Sequence, residues 1–263
     1  SISFANGSTM ARQQEISYSA WVNTTSLTTT QYIVGNNGSS NKGTSIFILN
    51  SASYPDRLVF QFGDLTNFNN QSYLNSFVAN LSSYVSANGW FHVAASWDGT
   101  TSKIYINGIE RNSWTPNQPP TYTISDWTLF RIGRRGDSAT SYFNGMLSNV
   151  AFWNSNLTPT QITTIYNNGT PASDISSLSP VSWWKLDNTT TGLLDSGSAS
   201  NNGTNSGATK YDGFVNALAG ESAGMDSSNL VQSDLQQTSG YSPYALTLDS
   251  NDANQLILNN GGN

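Results

Sequence analysis

Residues 90–112 read as three consecutive antiparallel strands, and this pattern restricts the chain to folds built from sheets. The first strand covers 90–97 and is dense in aromatic and small apolar residues. Asp98-Gly99 opens a short polar turn, and the second strand follows at 103–106. Asn107-Gly108 predicts a two-residue hairpin turn, because both positions of a type I′ turn need a positive φ, which Asn and Gly tolerate best. With a third strand at 109–112, the meander is typical of an all-β sandwich.

Further short strands and one helix are predicted along the chain. The strands cover 16–22, 31–35, 44–49, 57–62, 126–132, 142–154, 181–187, 244–249 and 255–258. The segment 63–86 reads as a long polar loop with one strand near 76–81, and 188–212 is a low-complexity polar run. Thr158, Pro159 and Gln161 combine an N-cap, a proline at the first helical position and a capping-box glutamine. A short helix is therefore expected near 158–167, with Gly169 as its C-terminal glycine.

The composition excludes several classes of function. Charged residues make up only 10% of the 263 residues and the net charge is −6, which argues against binding to nucleic acid or to anionic membranes. The absence of cysteine excludes a disulfide scaffold and a thiolate metal site. No apolar run approaches the roughly 20 residues of a membrane helix, and no signal peptide is recognisable. Aromatic residues reach 12%, which favours a packed core over disorder.

Several motifs in a fixed order resemble the laminin G-like, concanavalin A-like family. They are Trp-Phe-His-Val at 90–93, Trp-Asp-Gly at 97–99, Ile-Asn-Gly at 106–108, Phe-Asn-Gly-Met-Leu-Ser-Asn-Val-Ala-Phe-Trp at 143–153 and Tyr-Asn-Asn-Gly at 166–169. The resemblance covers roughly residues 13–170. It implies an all-β fold, an antiparallel jelly-roll β-sandwich of the concanavalin A-like type.

The C-terminal part resembles the beginning of the same kind of module. Trp-Trp-Lys-Leu-Asp at 183–187, Asp-Ser-Gly at 195–197, Asn-Asn-Gly-Thr at 201–204 and Ala-Leu-Thr-Leu-Asp at 245–249 are similar to its leading strands. We therefore expect a sandwich over 1–170, a linker over 171–180 and a segment of leading strands over 181–263. That segment either completes the same sandwich, as in a circular permutation, or pairs with a neighbouring copy. Both arrangements would cover an open sheet edge.

The acidic residues and the single histidine argue against an enzyme. Retaining glycoside hydrolysis needs two carboxyl groups about 5 Å apart. The three glutamates, Glu15, Glu110 and Glu221, lack the spacing that the β-glucanase relatives use on one strand. His92 has no cysteine and no Ser/Asp constellation beside it, so we expect it to be a packed, hydrogen-bonded residue. A glycoside hydrolase remains a remote alternative.

The resemblance also implies that calcium is the metal to consider. Modules of this type hold it at a loop rim with Asp, Asn and backbone oxygens, the ligands that this hard cation prefers. Asp64, Asn67, Asn69 and Asp137 are the candidates. Since Asp and Asn also form ordinary turns, the ligand set stays open, and no cofactor is certain.

Aromatic residues are the candidates for contact with sugars, because their faces can stack on the apolar CH surface of a ring. Trp21, Trp97, Trp127 and Trp153 alternate with polar residues in predicted strands and are expected in the core. Three aromatic residues are predicted to lie in loops instead and form the candidate ligand site: Phe68, Tyr73 and Tyr142.

These observations predict a non-catalytic, lectin-like structural and recognition module. The segment 220–244 resembles laminin G-like virion proteins of marine bacteriophages, which indicates a surface, decoration or appendage protein that contacts host glycans. A secreted bacterial adhesin or carbohydrate-binding module is the alternative. The expected partners are other virion subunits, through strand sharing, and cell-surface glycans, with no nucleic acid and no membrane insertion. The expected location is the virion or the extracellular space.

Overall fold

Two antiparallel β-sheets stack face to face in the computed structural model. It describes residues 1–4, 15–36, 43–63, 73–115, 130–136, 138–187, 191–212 and 244–248. The strands are β1 (Ile2–Phe4), β2 (Ile16–Thr24), β3 (Gln31–Gly35), β4 (Gly43–Leu49), β5 (Arg57–Gly63), β6 (Tyr73–Ala79), β7 (Trp90–Trp97), β8 (Ser102–Ile106), β9 (Ile109–Trp114), β10 (Arg131–Ile132), β11 (Gly145–Trp153), β12 (Ser182–Trp184), β13 (Gly203–Asn205), β14 (Thr209–Asp212) and β15 (Tyr244–Leu248). The predicted all-β sandwich is confirmed.

The two sheets differ in size and in strand order. The seven-stranded sheet has the order β13-β1-β10-β3-β4-β5-β6. The eight-stranded sheet has the order β14-β15-β11-β2-β7-β8-β9, with β12 paired to β11. Because side chains alternate between faces, every second residue of a strand enters the core. In β7, for example, Phe91, Val93, Ala95 and Trp97 belong to the main core cluster.

The outer face of the eight-stranded sheet is covered by α1 (Pro159–Tyr166) and the segment after it. Ile162 and Ile165 of the helix form one buried cluster with Trp153 of β11 and with Ile175 from the predicted linker 171–180. The capping box is present, since the Thr158 N–H donates to Gln161 Oε1 at 2.8 Å and the Gln161 N–H to Thr158 Oγ1 at 3.3 Å. In the described part of the chain, no helix is long and apolar enough to cross a membrane.

The helix occupies the predicted range, but a different residue from the predicted Gly169 ends it. Asn167, not Gly169, takes the left-handed C-cap conformation, with φ 46°, and its N–H donates to the Thr163 carbonyl. Asparagine tolerates this region because its short polar side chain carries a small steric penalty there. Gly169 ends a single 3-10 turn that follows the helix.

The turns of the 90–112 meander have the predicted chemistry. Asn107 and Gly108 both have positive φ, 52° and 74°. Asp98 Oδ1 accepts the N–H groups of Thr100 and Thr101, at 2.8 and 2.6 Å, so this carboxylate stabilises its own turn. The ring of Tyr166 packs on the hairpin turn, where a Cβ at position 108 would lie 2.9 Å from it.

Strands from both ends of the described chain share the two sheets. β13 pairs with β1, from Ile2↔Asn205 to Phe4↔Gly203. β12 and β15 both pair with β11, on the side opposite β2. The sheets thus contain strands from before and after the predicted linker, while the division into 1–170, 171–180 and 181–263 stays a prediction.

Two predicted elements differ from those observed. β6 begins at residue 73 rather than 76 and stops at Ala79, because Asn80 adopts a left-handed conformation (φ 56°) that leads into a 3-10 turn at Leu81–Ser83. The polar run 188–212 contains two strands, β13 and β14. The predicted strand residues 126–129 and 255–258 lie outside the described residues.

Candidate functional site

The motif residues between 183 and 204 hold a loop in place rather than forming an open site. Asp195 Oδ1 accepts the N–H groups of Trp183 and Gly197, each at 2.8 Å, and Oδ2 accepts the Asn201 N–H at 2.8 Å. The Trp184 indole N–H donates to the Asn201 carbonyl at 2.8 Å. The carboxylate therefore fixes the loop against β12, and its lone pairs are engaged by the chain itself.

His92 is a structural residue in the described fold. Its side chain is fully buried, and Nε2 lies 2.8 Å from Ser19 Oγ. The rings of Trp21 and Tyr166 lie 5.5 and 6.0 Å from the imidazole. Burial lowers the pKa of His92 to about 3. The imidazole is thus neutral near pH 7 and shielded from solvent.

The two described glutamates do not form a pair of catalytic carboxylates. Glu110 in β9 pairs with Lys103 at 3.2 Å, whereas Glu15 Oε2 accepts the N–H of Asn156 at 3.3 Å. Each carboxylate thus has its own partner in a different part of the fold. Glu221 lies outside the described residues.

The predicted calcium ligands cannot be placed. Asp64, Asn67, Asn69 and Asp137 all lie outside the described residues. Within the described ranges, no group of three or more Asp, Glu, His or Cys side chains could hold a metal ion. Calcium binding through the four predicted residues stays a prediction.

The aromatic residues divide as follows. Trp21, Trp97 and Trp153 are buried, as expected, and Trp127 lies outside the described residues. Of the predicted ligand residues, Phe68 is outside the described ranges, and Tyr73 is the first residue of β6 rather than a loop residue.

Tyr142, the third predicted ligand residue, is half-buried. It lies in the segment before β11, which the Tyr32 N–H joins to β3 by donating to the Ser141 carbonyl at 3.0 Å. A ligand site formed by Phe68, Tyr73 and Tyr142 stays a prediction.

A different group of aromatic side chains is exposed at one end of the sandwich. Tyr54, in the turn between β4 and β5, is 52% exposed, and Tyr84, in the turn between β6 and β7, is 40% exposed. The two turns are joined through Asp56, whose carboxylate accepts the Ser82 N–H at 3.0 and 3.2 Å and the Ser82 hydroxyl at 2.5 Å. Both tyrosines therefore stand on one connected surface.

Each of these tyrosines contacts an arginine. The Arg57 guanidinium carbon lies 4.7 Å from the centre of the Tyr54 ring and 4.2 Å from that of Phe77. The Arg111 guanidinium carbon lies 4.6 Å from the centre of the Tyr84 ring. Such cation–π contacts hold the rings in place while leaving them partly exposed.

The sheet supports this group from below. Tyr32, Phe47, Val59 and Phe77 lie side by side across β3 to β6 on the outer face of the seven-stranded sheet. Arg57 precedes Val59 by two residues and thus points to the same face. Its pairing partner is Ala79, so Phe77 is its diagonal neighbour across the strands.

An open pocket of about 380 Å³ adjoins Tyr84. Its lining includes Trp90 at the start of β7, the hydroxyl-bearing residues Ser82, Ser83 and Ser86, and Asn107. Rings beside hydroxyl and amide groups match the mixed apolar and polar surface of a sugar. We call the six side chains of this surface the aromatic rim: Tyr54, Arg57, Phe77, Tyr84, Trp90 and Arg111. Sequence reasoning missed it, although Ser53-Tyr54-Pro55-Asp56 is recognisable as a turn.

A family model described as the concanavalin A-like lectin/glucanases superfamily matches residues 1–163. No curated protein sequence matches the chain.

Among solved structures, the fold is similar to that of a candidate carbohydrate-binding protein from Bacteroides ovatus. The TM-score is 0.55 at 22% sequence identity, with 78% of this chain and 54% of that chain covered. This chain thus spans about half the length of the Bacteroides protein.

Two further structures are similar at lower TM-scores. Domain 4 of an extracellular arabinanase from Geobacillus stearothermophilus, in complex with arabinotriose, gives 0.45 at 23% identity, covering 60% of this chain and 69% of that chain. The CBM40 domain of the Ruminococcus gnavus IT-sialidase, bound to alpha2,3 sialyllactose, gives 0.46 at 14% identity, covering 60% and 86%.

Proposed function

The chain belongs to the concanavalin A-like lectin/glucanases superfamily, and on this basis we propose that it is a non-catalytic, lectin-like module that binds glycans at the aromatic rim. The observation that carries the proposal is the pair of exposed tyrosines, Tyr54 and Tyr84, each braced by a guanidinium on a connected surface. Exposed aromatic rings held in fixed positions offer apolar area at a low cost in conformational entropy. The serine hydroxyls of the adjoining pocket supply hydrogen bonds for sugar hydroxyls.

The separation of the described glutamates supports a binding role rather than catalysis. Glu15 and Glu110 are engaged with different partners, and His92 is buried and neutral near pH 7. The fold that the chain shares with the Bacteroides ovatus candidate carbohydrate-binding protein is consistent with this role.

We place the module on a virion surface or appendage, or in the extracellular space, where it contacts host glycans and neighbouring subunits. The support is the polar, weakly charged composition and the resemblance of the segment 220–244 to virion proteins of marine bacteriophages. A secreted bacterial adhesin or carbohydrate-binding module is the second candidate, and the family membership favours it equally.

A glycan array tests the binding function. The full chain is expected to bind at least one class of glycan above background, and the array is repeated in calcium and in EDTA. Loss of binding in EDTA would support a calcium requirement, whereas unchanged binding would argue against one. A folded protein that binds no glycan in either condition would overturn the proposal.

A further inference from the structure

We propose that the aromatic rim recognises glycans that carry a negatively charged group, a carboxylate or a sulfate, and that Arg57 binds this group. This inference rests on the proposed glycan-binding function and names its ligand class. Its starting point is a cation that two aromatic rings contact and that has no acidic partner in the described part of the chain.

The position of the Arg57 guanidinium is fixed by stacking. Its central carbon lies 4.7 Å from the centre of the Tyr54 ring and 4.2 Å from the centre of the Phe77 ring, so two rings contact the same cation. A long, flexible side chain normally loses rotamer freedom when it binds a ligand. In Arg57 the two rings have already removed much of this freedom, so less is lost when the ligand arrives.

The donors of Arg57 are unused among the residues that the structure describes. The guanidinium makes no hydrogen bond there, and Nε is the one nitrogen of the group that is shielded from solvent. The two terminal nitrogens therefore face the solvent at the rim. A planar pair of donors matches the two oxygens of a carboxylate or sulfate, which bind such a fork with two parallel hydrogen bonds.

Among the residues that the structure describes, no carboxylate pairs with this cation. In the described ranges the one ion pair joins Lys103 and Glu110. Asp56, the acid next to Arg57 in the sequence, is engaged with the backbone and hydroxyl of Ser82. Acidic residues outnumber basic ones in this chain, whose net charge is −6, yet none of the described carboxylates forms an ion pair with Arg57.

Arg111 repeats the arrangement on the other side of the rim. Its guanidinium lies on the exposed Tyr84 ring at 4.6 Å, and it has no carboxylate partner among the described residues. Two cations on aromatic platforms at one end of the sandwich favour a ligand with charged groups rather than a neutral sugar. Arg57 contacts two rings and Arg111 one, so Arg57 is the more constrained of the two.

The alternative is that Arg57 only stabilises the turn between β4 and β5 by stacking. This role predicts lower stability on substitution but no change in ligand preference. Matched pairs of glycans separate the two roles, since the members of each pair share one backbone and differ in a single kind of charged group. Oligogalacturonate with its methyl ester tests a carboxylate, and κ-carrageenan oligosaccharides with their desulfated forms test a sulfate.

The experiment measures binding of the four probes to the full chain and to three variants by titration calorimetry. For the wild type, at least one anionic probe is expected to bind tenfold or more tightly than its neutral partner. Arg57→Gln is expected to reduce this preference at least tenfold. Arg57→Lys keeps the charge but loses the planar fork, and is expected to reduce it threefold or more. Lys185→Gln removes a cation stacked on Trp183 at 4.8 Å and is expected to leave the preference unchanged.

The outcomes keep this inference separate from the proposed function. Equal or tighter binding of both neutral probes, or an Arg57→Gln variant with wild-type preference, would overturn the inference while glycan binding stands. If neither these probes nor the array shows binding, both fall. Thermal unfolding of each variant checks its fold, and Arg57→Lys decides the question if Arg57→Gln does not fold.

Discussion

The buried imidazole of His92 makes the stability of this protein depend on pH in a defined window. Its pKa in the folded protein is lowered from 6.5 to about 3 because the ring has no access to water. In the unfolded chain the ring regains its ordinary pKa and takes up a proton below pH 6.5. Between pH 6.5 and 3 the unfolded state therefore binds more protons than the folded state, and stability falls as the pH is lowered.

The size of the effect follows from the same two pKa values. Each unit of pH inside the window changes the free energy of unfolding by about 1.4 kcal/mol. From pH 7 to pH 5 the stabilisation lost is about 2 kcal/mol, because the first half unit lies above the unfolded pKa and contributes little. For a chain of this size the midpoint of thermal unfolding should fall by about 4–8 °C.

His92 is the only histidine of the chain, which makes the measurement clean. Aspartate and glutamate titrate mainly below about pH 5. Urea unfolding followed by tryptophan fluorescence at pH 7, 6 and 5 therefore reports chiefly on this ring. His92→Gln retains a side-chain amide that can bond to Ser19 and is expected to be less stable at pH 7 but nearly independent of pH across the window. If the wild type and His92→Gln show the same pH dependence from 7 to 5, the reasoning is refuted.

Two further predictions concern the scaffold. Asp195→Ala removes the acceptor of three backbone N–H groups and should lower the free energy of unfolding by about 2–4 kcal/mol. The control Asp174→Ala should have a smaller effect, since Asp174 is exposed. Equal effects of the two variants in urea unfolding would contradict the role of Asp195 in holding its loop. Gly145→Ala places a Cβ 2.1 Å from the Asn23 carbonyl oxygen and should destabilise the pairing of β2 with β11 by at least about 3 kcal/mol. The control Gly89→Ala, whose Cβ would have its nearest atom at 3.3 Å, should lower stability by less than about 1 kcal/mol. A folded Gly145→Ala protein with wild-type thermal stability would show that this pairing is wrong.

The sequence predicts those parts of the fold whose residues act on near neighbours. Asn107-Gly108, Asp98 and the Thr158–Gln161 capping box each stabilise a turn or a helix end within a few residues, so their roles follow from spacing alone. β13 and β14 are missed because their sequence lacks apolar alternation: β13 is a short polar strand beside β1 at the end of the seven-stranded sheet. Its pairing depends on the register with a strand two hundred residues away.

The aromatic rim could not be predicted for a related reason. Arg57 contacts Phe77 because β5 and β6 pair with Val59 opposite Phe77 and Arg57 opposite Ala79. No local sequence pattern encodes this register between the two strands. Tyr84 meets Arg111 across two sheets, where Asn112 Nδ2 donates to the Phe77 carbonyl at 2.5 Å and brings β9 to the edge of β6. Reasoning from composition favoured aromatics in predicted loops, whereas the exposed rings stand in two short turns joined by Asp56.

The central claim is that the aromatic rim binds glycans, and the most direct measurement compares rim and non-rim variants with one ligand. Titration calorimetry with the glycan that binds best on the array is applied to the Tyr54→Ala/Tyr84→Ala double variant. Leu194→Ala is the matched control, because Leu194 is a large apolar residue with 50% exposure outside the rim. Binding is expected to weaken at least tenfold in the double variant and to stay unchanged in the control, since aromatic anchors carry much of the affinity of a recognition surface. A double variant that is folded and binds as tightly as the wild type would contradict the claim.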